Sequence, residues 1–301
     1  MEKRLDWVDS ARGLAMILVI LSHCLTIVTS TFPYLNKLIL SFHMPLFFFI
    51  SGLFAKPIRG SVGNFFSTKA KHFLLPQLLL CFLRLIEDIL FVTLKKGNVS
   101  EIQWINWDWF LPVLFMCSVL YSFILTLIKQ RGAYIKLLLV FLALLLIFPA
   151  QTLNKHEFLL AGSLINSRHI AVLPMAFLFY ILGNIFFNYK DKIFFWYNSI
   201  KPEIMGLIML IMLSLLGVLS FINDSVYMYK NEYGNYFTFL STSIMGILLT
   251  IFYFSDYSSA FLSYVGKNSI YYYVWNFITI HFVTSIMFKV WGDIVKESIV
   301  L

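Results

Sequence analysis

An arginine and a histidine lie eleven positions apart on the first apolar segment of the chain, Arg12 at its start and His23 further along. Eleven steps of about 100° return to the same face of a helix after roughly three turns, so both side chains are expected on one face, about 16 Å apart. Ionisable groups inside the hydrocarbon of a membrane are costly and are therefore functional candidates. The pair predicts a basic group at the mouth of a site and an imidazole near mid-membrane.

The two residue types suit the two ends of a coenzyme A thioester. A guanidinium binds phosphate through charge-assisted hydrogen bonds, whereas an imidazole titrates near neutral pH and accepts a hydroxyl proton or an acyl group. A polyanionic donor held at Arg12 would present its thioester, at the end of a long thin arm, near His23. The alternative is an arginine that only sets topology and a histidine that only hydrogen-bonds between helices.

A second histidine, His43, occupies the run 42–52 (FHMPLFFFISG) in the outer half of the second apolar segment. The connection between the first two segments is short, so His43 and His23 are expected to face one cavity. Pro45 leaves the carbonyl four residues earlier without its helical partner, and Gly52 permits close helix contact. An interfacial histidine near the outer surface is the alternative for His43.

The elements that would position these residues are membrane-spanning helices. Hydrophobic residues make up 60% of the 301 residues and charged residues only 13%, about half the share typical of soluble domains. The chain is therefore predicted to be all-α, a polytopic bundle of about 9–11 transmembrane helices of roughly 20 residues each, in one domain over residues 1–301. The predicted spans are 13–31, 37–55, 73–94, 109–128, 134–150, 169–187, 203–222, 236–255 and 266–288.

Positive residues predict the orientation. With the N-terminus in the cytoplasm, the inner segments carry fourteen Lys and Arg residues and the outer segments eight, as the positive-inside rule requires. The net charge of +8 thus reflects topology, and no basic patch indicates nucleic acid. We expect an integral protein of the bacterial inner membrane, in contact with its lipids. The sequence does not predict an oligomeric state.

Other polar residues are weaker candidates. Asp108 and Glu157 are placed on the outer side and Asn276 within the last span, within reach of sugar hydroxyls, although loop solvation or helix contact is the alternative. Arg84 and Asp88 have the spacing of a same-face ion pair, which predicts a structural role. The tyrosines at 271–273 are predicted to pack. The three scattered cysteines predict neither a disulfide framework nor a zinc site, and no metal is expected.

Several stretches resemble the membrane acyltransferase-3 family, and more narrowly its fucose 4-O-acetylase-like branch. The specific part is the opening 4–13 (RLDWVDSARG), followed by His23 and the run 42–52. Weaker similarities lie at 109–115 (WFLPVLF), 177–183 (FLFYILG) and 266–271 (GKNSIY). Together they extend over nearly the whole chain.

The resemblance implies transfer of an acetyl or similar acyl group from acyl-coenzyme A, with acetyl-coenzyme A as donor, to a hydroxyl of a cell-surface glycan or lipid-linked sugar. The family's arginine and histidine of the first span fall on Arg12 and His23, and the histidine specific to the branch falls on His43. These three are therefore the catalytic candidates, with Arg12 also on the donor.

The resemblance also assigns a donor-binding stretch. The family's basic segment before the third span falls on Lys69, Lys71 and His72, where family members often carry arginines, so the histidine is a departure from the pattern. The last helix of the family commonly carries a histidine where this chain has Asn276, which leaves any catalytic role of that position open.

Two other classes of function use the same residues differently. A transporter or flippase for a lipid-linked sugar or another polar solute would use the buried groups as a permeation path, but the sequence lacks the paired, interrupted halves common in transporters. A membrane scaffold would tolerate replacement of Arg12 and His23. Consumption of acetyl-coenzyme A in the presence of acceptor separates an acyltransferase from both.

Overall fold

The chain folds as a helical bundle, which confirms the predicted fold class. A computed structural model describes residues 5–27, 32–95, 108–128, 133–154, 159–160, 165–276 and 278–280. The elements are α1 (Asp6–Ile27), α2 (Pro33–Leu40), α3 (His43–Gly52), α4 (Val62–Lys95), α5 (Phe110–Ile128), α6 (Ala133–Asn154), β1 (Leu159–Leu160), β2 (Ile165–Asn166), α7 (Ser167–Ser199), α8 (Pro202–Ile222), α9 (Tyr236–Asp256) and α10 (Ala260–Lys267). Residues 269–276 and 278–280 are also helical, and the short strands β1 and β2 pair antiparallel.

Fewer helices qualify as membrane spans than the sequence predicts. Within the described residues, six segments are long and apolar enough: Asp6–Leu25, Pro33–Gly52, Phe110–Ile128, Ile170–Ser199, Pro202–Ile222 and Tyr236–Asp256. Tyr134–Ala150 is apolar but shorter. The predicted span 73–94 belongs to α4, where Arg84, Glu87 and Asp88 lower the hydropathy. The predicted span 266–288 continues beyond the described residues, and the cytoplasmic N-terminus stays a prediction.

The predicted span 37–55 is two helices with a break between them. Pro45 has no N–H to donate to the carbonyl of Ser41, four residues earlier, and a bare carbonyl within a membrane costs several kcal/mol. The Ser243 hydroxyl of α9 donates to that carbonyl at 2.8 Å. The chain therefore turns at 41–42 at little cost, and His43 opens α3.

Helices α3 and α7 cross in direct backbone contact. A Cβ atom built on Gly52 would lie 1.9 Å from the carbonyl oxygen of Tyr180, and one built on Gly183 would lie 2.0 Å from that of Phe49. Each glycine therefore faces the backbone of the other helix, and neither position accepts a side chain. The predicted close contact at Gly52 is confirmed, and α7 is the helix it meets.

Helices α1 and α10 cross in the same reciprocal way. Built Cβ atoms would lie 1.9 Å from a carbonyl oxygen at both glycines, Gly13 against Leu262 and Gly266 against Asp9. Small residues at such crossings let helices gain van der Waals contact where lipid offers no hydrophobic driving force. This crossing fixes the first helix against the segment that leads into the last one.

Burial ranks the helices from the centre of the bundle outward. Nine of the ten residues of α3 are buried, and α3 packs against α1, α5, α7 and α9. Helix α8 is the opposite case, since only 17% of its apolar window is buried inside the protein. Helix α3 is thus the central element, and α8 presents most of its apolar side chains to lipid.

We expect Gly183→Ala to destabilise the protein by about 1–3 kcal/mol, because the new methyl group overlaps the Phe49 carbonyl and forces α3 and α7 apart. The measurement is the thermal unfolding midpoint in detergent. Gly206→Ala is the matched control, because nothing lies within 4 Å of its built Cβ atom. Equal midpoints for the two variants would contradict the proposed role of the crossing.

Candidate active site

A basic cavity opens at the end of the bundle where α1 and α4 begin. Its volume is about 610 Å³, and its cationic lining consists of Arg12, Lys69, Lys71, His72 and Lys267. The structure therefore brings together all four residues that the sequence assigns to donor binding. Such a concentration of positive charge in a concave site favours a polyanionic ligand. We call it the basic cavity.

The α1–α10 crossing builds one side of the basic cavity. Arg12 immediately precedes the crossing glycine of α1, and Lys267 immediately follows that of α10. Two hydrogen bonds tie α1 to the start of α10, since the Ser10 hydroxyl donates to the Ser259 carbonyl at 3.3 Å and accepts from the Ser259 N–H at 3.2 Å. The two cations are thus brought to one wall of the basic cavity by backbone packing.

Helix α4 supplies the opposite side, where burial weakens the protonated forms. Burial lowers the pKa of Lys69, whose ammonium lies 5.7 Å from the Phe65 ring centre and 5.9 Å from that of Phe73. The pKa of His72 is lowered first by burial and then by the positive charges of Lys69 and Arg12. His72 is therefore biased toward its neutral form when the basic cavity is empty.

A second cavity lies toward the other end of the bundle and contains both predicted catalytic histidines. Its volume is about 300 Å³, and its ionisable lining is His23, His43, Arg84 and Asp108. The aromatic part of its wall includes Trp109, Phe110, Tyr227, Tyr229 and Tyr273. We call it the histidine cavity.

His43 is oriented by a hydrogen bond to the backbone. It is 5% exposed, and its Nδ1 lies 2.8 Å from the carbonyl oxygen of Ile39. A carbonyl only accepts hydrogen bonds, so Nδ1 carries the proton and Nε2 keeps its lone pair. The neighbouring helix break supplies this carbonyl, because His43 follows directly on the turn at 41–42. The imidazole is therefore set to accept a proton at Nε2.

His23 lies nearer the end of its helix than the sequence predicts. Helix α1 begins at Asp6, not at 13, so His23 falls close to the far end of the apolar segment Asp6–Leu25 and its side chain is exposed. His23 lines the histidine cavity together with His43, and these are the two histidines predicted to face one cavity. Arg12 lines the basic cavity instead, so the single site predicted for Arg12 and His23 is two adjoining cavities.

Arg84 and Asp108 join α4 to the start of α5. The Arg84 Nη2 lies 3.8 Å from Asp108 Oδ2, which also accepts a hydrogen bond from the Tyr273 hydroxyl at 2.5 Å. The other carboxylate oxygen accepts the backbone N–H of Trp109 at 2.8 Å. The structure pairs Arg84 with Asp108, which comes from another segment, whereas the sequence predicted an ion pair with Asp88.

Three aromatic rings lie where the two cavities adjoin. Phe47, Phe110 and Tyr273 line both of them. The ring centres of Phe47 and Phe110 are 5.5 Å apart, and those of Phe110 and Tyr273 are 5.4 Å apart, so the three rings pack against one another. We call these three rings the aromatic partition.

A hydrogen-bonded loop closes the histidine cavity from the side of α8 and α9. The Asn223 side chain donates to the Tyr233 carbonyl at 3.2 Å and accepts the Asn235 N–H at 2.8 Å. Lys37 of α2 donates to the Asn223 carbonyl at 3.0 Å. This scaffold holds residues 227–229 against the cavity.

The remaining predicted site residues lie apart. Asn276 is 7% exposed and lines neither cavity among the described residues; its Nδ2 donates to the Tyr273 carbonyl at 3.2 Å. Glu157 lies outside the described residues.

The sequence did not predict Lys267, Arg84 and Tyr273 as site residues. Gly266 beside Lys267 could have indicated a helix crossing at that position. Arg84 and Tyr273 meet at Asp108 only through contacts between distant segments.

A family model described as an acyltransferase domain matches residues 5–300. The chain belongs to the acyltransferase-3 family. Membership in the acyltransferase-3 family makes the chain a membrane acyltransferase that takes an acyl donor and an acceptor. Neither a curated protein nor a solved structure matches it. Among the described residues, no three His, Cys, Asp or Glu side chains gather as metal ligands would.

We expect His72→Arg to tighten binding of a polyanionic ligand, with coenzyme A as the probe, about threefold to tenfold at pH 7.5, because a permanent cation replaces a mostly neutral imidazole. The gain should shrink as the pH falls below the lowered pKa of His72, since the parent imidazole then also becomes charged. Calorimetric titration with coenzyme A at both pH values measures the difference. Lys71→Arg conserves the charge in the same cavity and serves as the control. Equal affinities of the parent and His72→Arg at both pH values would contradict the expected effect.

Proposed function

We propose that the protein transfers an acetyl group from acetyl-coenzyme A to a hydroxyl of a cell-surface glycan or lipid-linked sugar. The protein would lie in the bacterial inner membrane, with its N-terminus and the basic cavity on the cytoplasmic side. Within the family we assign it to the fucose 4-O-acetylase-like branch, on the run 42–52 that contains His43. Acetyl-coenzyme A is the donor substrate and no metal takes part.

The observation that carries the proposal is the pair of adjoining cavities. One gathers the cations that a nucleotide phosphate requires, at Arg12, Lys69, Lys71 and Lys267. The other gathers imidazoles next to it, and Phe47, Phe110 and Tyr273 line both cavities. A donor with a polyanionic end and a thin thioester arm matches this order, with the arm directed at the aromatic partition.

The chemistry assigned to the histidine cavity is a direct transfer. The acceptor hydroxyl gives its proton to Nε2 of His43 while its oxygen bonds to the thioester carbonyl carbon. The carbon–sulfur bond breaks, and the imidazolium then returns the proton to the coenzyme A thiolate. His23 is exposed in the same cavity and is the alternative base or transient acyl carrier.

The acceptor is assigned to the same cavity on its polar and aromatic lining. Asp108 and Arg84 offer an acceptor and a donor for hydroxyl groups, and Trp109, Tyr227 and Tyr229 offer apolar ring faces. Small-ligand sites combine a largely apolar wall with a few placed polar groups in this way. A sugar ring with its hydroxyls fits that combination.

The transporter alternative is not favoured. Family membership supports a transferase.

We expect His43→Ala to lower kcat for acetyl transfer by about 100-fold or more, because the oriented proton acceptor is lost. His23→Ala should also abolish transfer if His23 carries the acyl group. The measurement is the release of coenzyme A thiol in the presence of surface-glycan acceptor. Coenzyme A binding, measured separately, should stay within about twofold of the parent. Parent rates in both variants would exclude the two imidazoles from the reaction.

We expect Arg12→Ala mainly to raise KM for acetyl-coenzyme A, by about tenfold to a hundredfold, since a charge-assisted contact to phosphate is lost while the histidines are untouched. Steady-state kinetics with varied donor give the value. Arg59→Ala is the control, because Arg59 is exposed and does not line the basic cavity in the described structure. A selective fall in kcat would assign Arg12 to the chemical step instead.

A further inference from the structure

We propose that Tyr273 is a positioning residue that holds the aromatic partition closed through its bond to Asp108, and that an acceptor bound at Asp108 releases it. This inference rests on the acyl transfer proposed above. It adds a rule for when the donor arm reaches the histidines.

The donor arm has to pass the partition. His43 and Phe47 are one turn apart on α3, so the imidazole lies about 6 Å along the helix beyond the partition ring. Both Phe47 and Phe110 line the basic cavity and the histidine cavity. A thioester that enters beside Arg12 therefore meets these rings before it meets His43.

Tyr273 is the ring with a directional anchor. Phe47 and Phe110 are each 6% exposed and are held by packing, and Phe110 also contacts the rings of Phe48 and Trp109. The Tyr273 hydroxyl instead donates to Asp108 Oδ2 at 2.5 Å. Losing that bond frees one side of the partition while the two phenylalanines stay packed.

The anchor faces the cavity that the acceptor would occupy. Asp108 lines the histidine cavity, and its side chain is 22% exposed. Its Oδ1 accepts the Trp109 N–H, whereas its Oδ2 accepts the Tyr273 hydroxyl and lies beside Arg84, so a hydroxyl that binds at Oδ2 has to share that oxygen with Tyr273. The Arg84 Nη2 lies 3.8 Å from the same oxygen. A sugar hydroxyl at Oδ2 thus competes directly with Tyr273.

The consequence is protection of the thioester. With no acceptor, a closed partition keeps the thioester away from water in the histidine cavity. Hydrolysis there would add the oxygen of water to the acyl carbon, break the carbon–sulfur bond and give a carboxylic acid and the coenzyme A thiol. With an acceptor bound, the partition opens and its hydroxyl takes the place of water.

The test is hydrolysis of acetyl-coenzyme A by the purified protein in lipid nanodiscs with no acceptor present. We expect Tyr273→Phe, which keeps the ring and removes the hydroxyl, to raise hydrolysis about fivefold over the parent, the change in open population expected for one lost hydrogen bond. Asp108→Ala removes the other partner and should raise it similarly. A residue with a purely structural role would lower every rate instead.

The matched control is Tyr272→Phe, the same change one position earlier at a residue that lines neither cavity in the described structure. Its hydrolysis should equal that of the parent. If Tyr273→Phe and Asp108→Ala fold and bind coenzyme A but hydrolyse acetyl-coenzyme A no faster than the parent, the inference about Tyr273 is overturned. The proposed function would then still stand. A parent protein that binds no coenzyme A would overturn the proposed function, and this inference with it.

Discussion

Reciprocal glycine contact between helix backbones is the interaction on which the rest of the structure depends. Lipid is as apolar as leucine, so helices in a membrane associate through close packing and hydrogen bonds, not through exclusion of water. Gly13 and Gly266 bring α1 and α10 into backbone contact, and Gly52 and Gly183 do the same for α3 and α7. The first crossing places two cations on one wall of the basic cavity, and the second fixes the helix that carries His43 and Phe47.

Helix α3 shows how one sequence irregularity becomes a functional geometry. Pro45 deprives the Ser41 carbonyl of its helical partner, and Ser243 supplies another from α9. The bundle thereby tolerates a break at mid-span, which an isolated helix in lipid would not. The same break leaves the Ile39 carbonyl where it fixes the tautomer of His43. A structural repair and a chemical orientation thus come from one local feature.

How much of this was predictable depends on the range of the interactions. Long apolar runs predicted the helical bundle, and Pro45 predicted a bare carbonyl, because both are local properties. The predicted start of the first span was wrong because the polar turn from Asp6 still belongs to α1, which leaves His23 closer to the end of the apolar segment than predicted. The contact of Asp108 with Tyr273 joins residues 165 positions apart, and no spacing rule reports such a pairing.

The aromatic partition also has an electrical consequence. Two polar cavities that enter a membrane protein from opposite ends, if they met, would form a water column along which protons and salt ions could cross. Hydrophobic constrictions stop conduction by excluding water, and the rings of Phe47, Phe110 and Tyr273 lie where such a column would pass. The rings that the acyl group passes in the proposed reaction thus also prevent an ion leak that would dissipate the membrane potential.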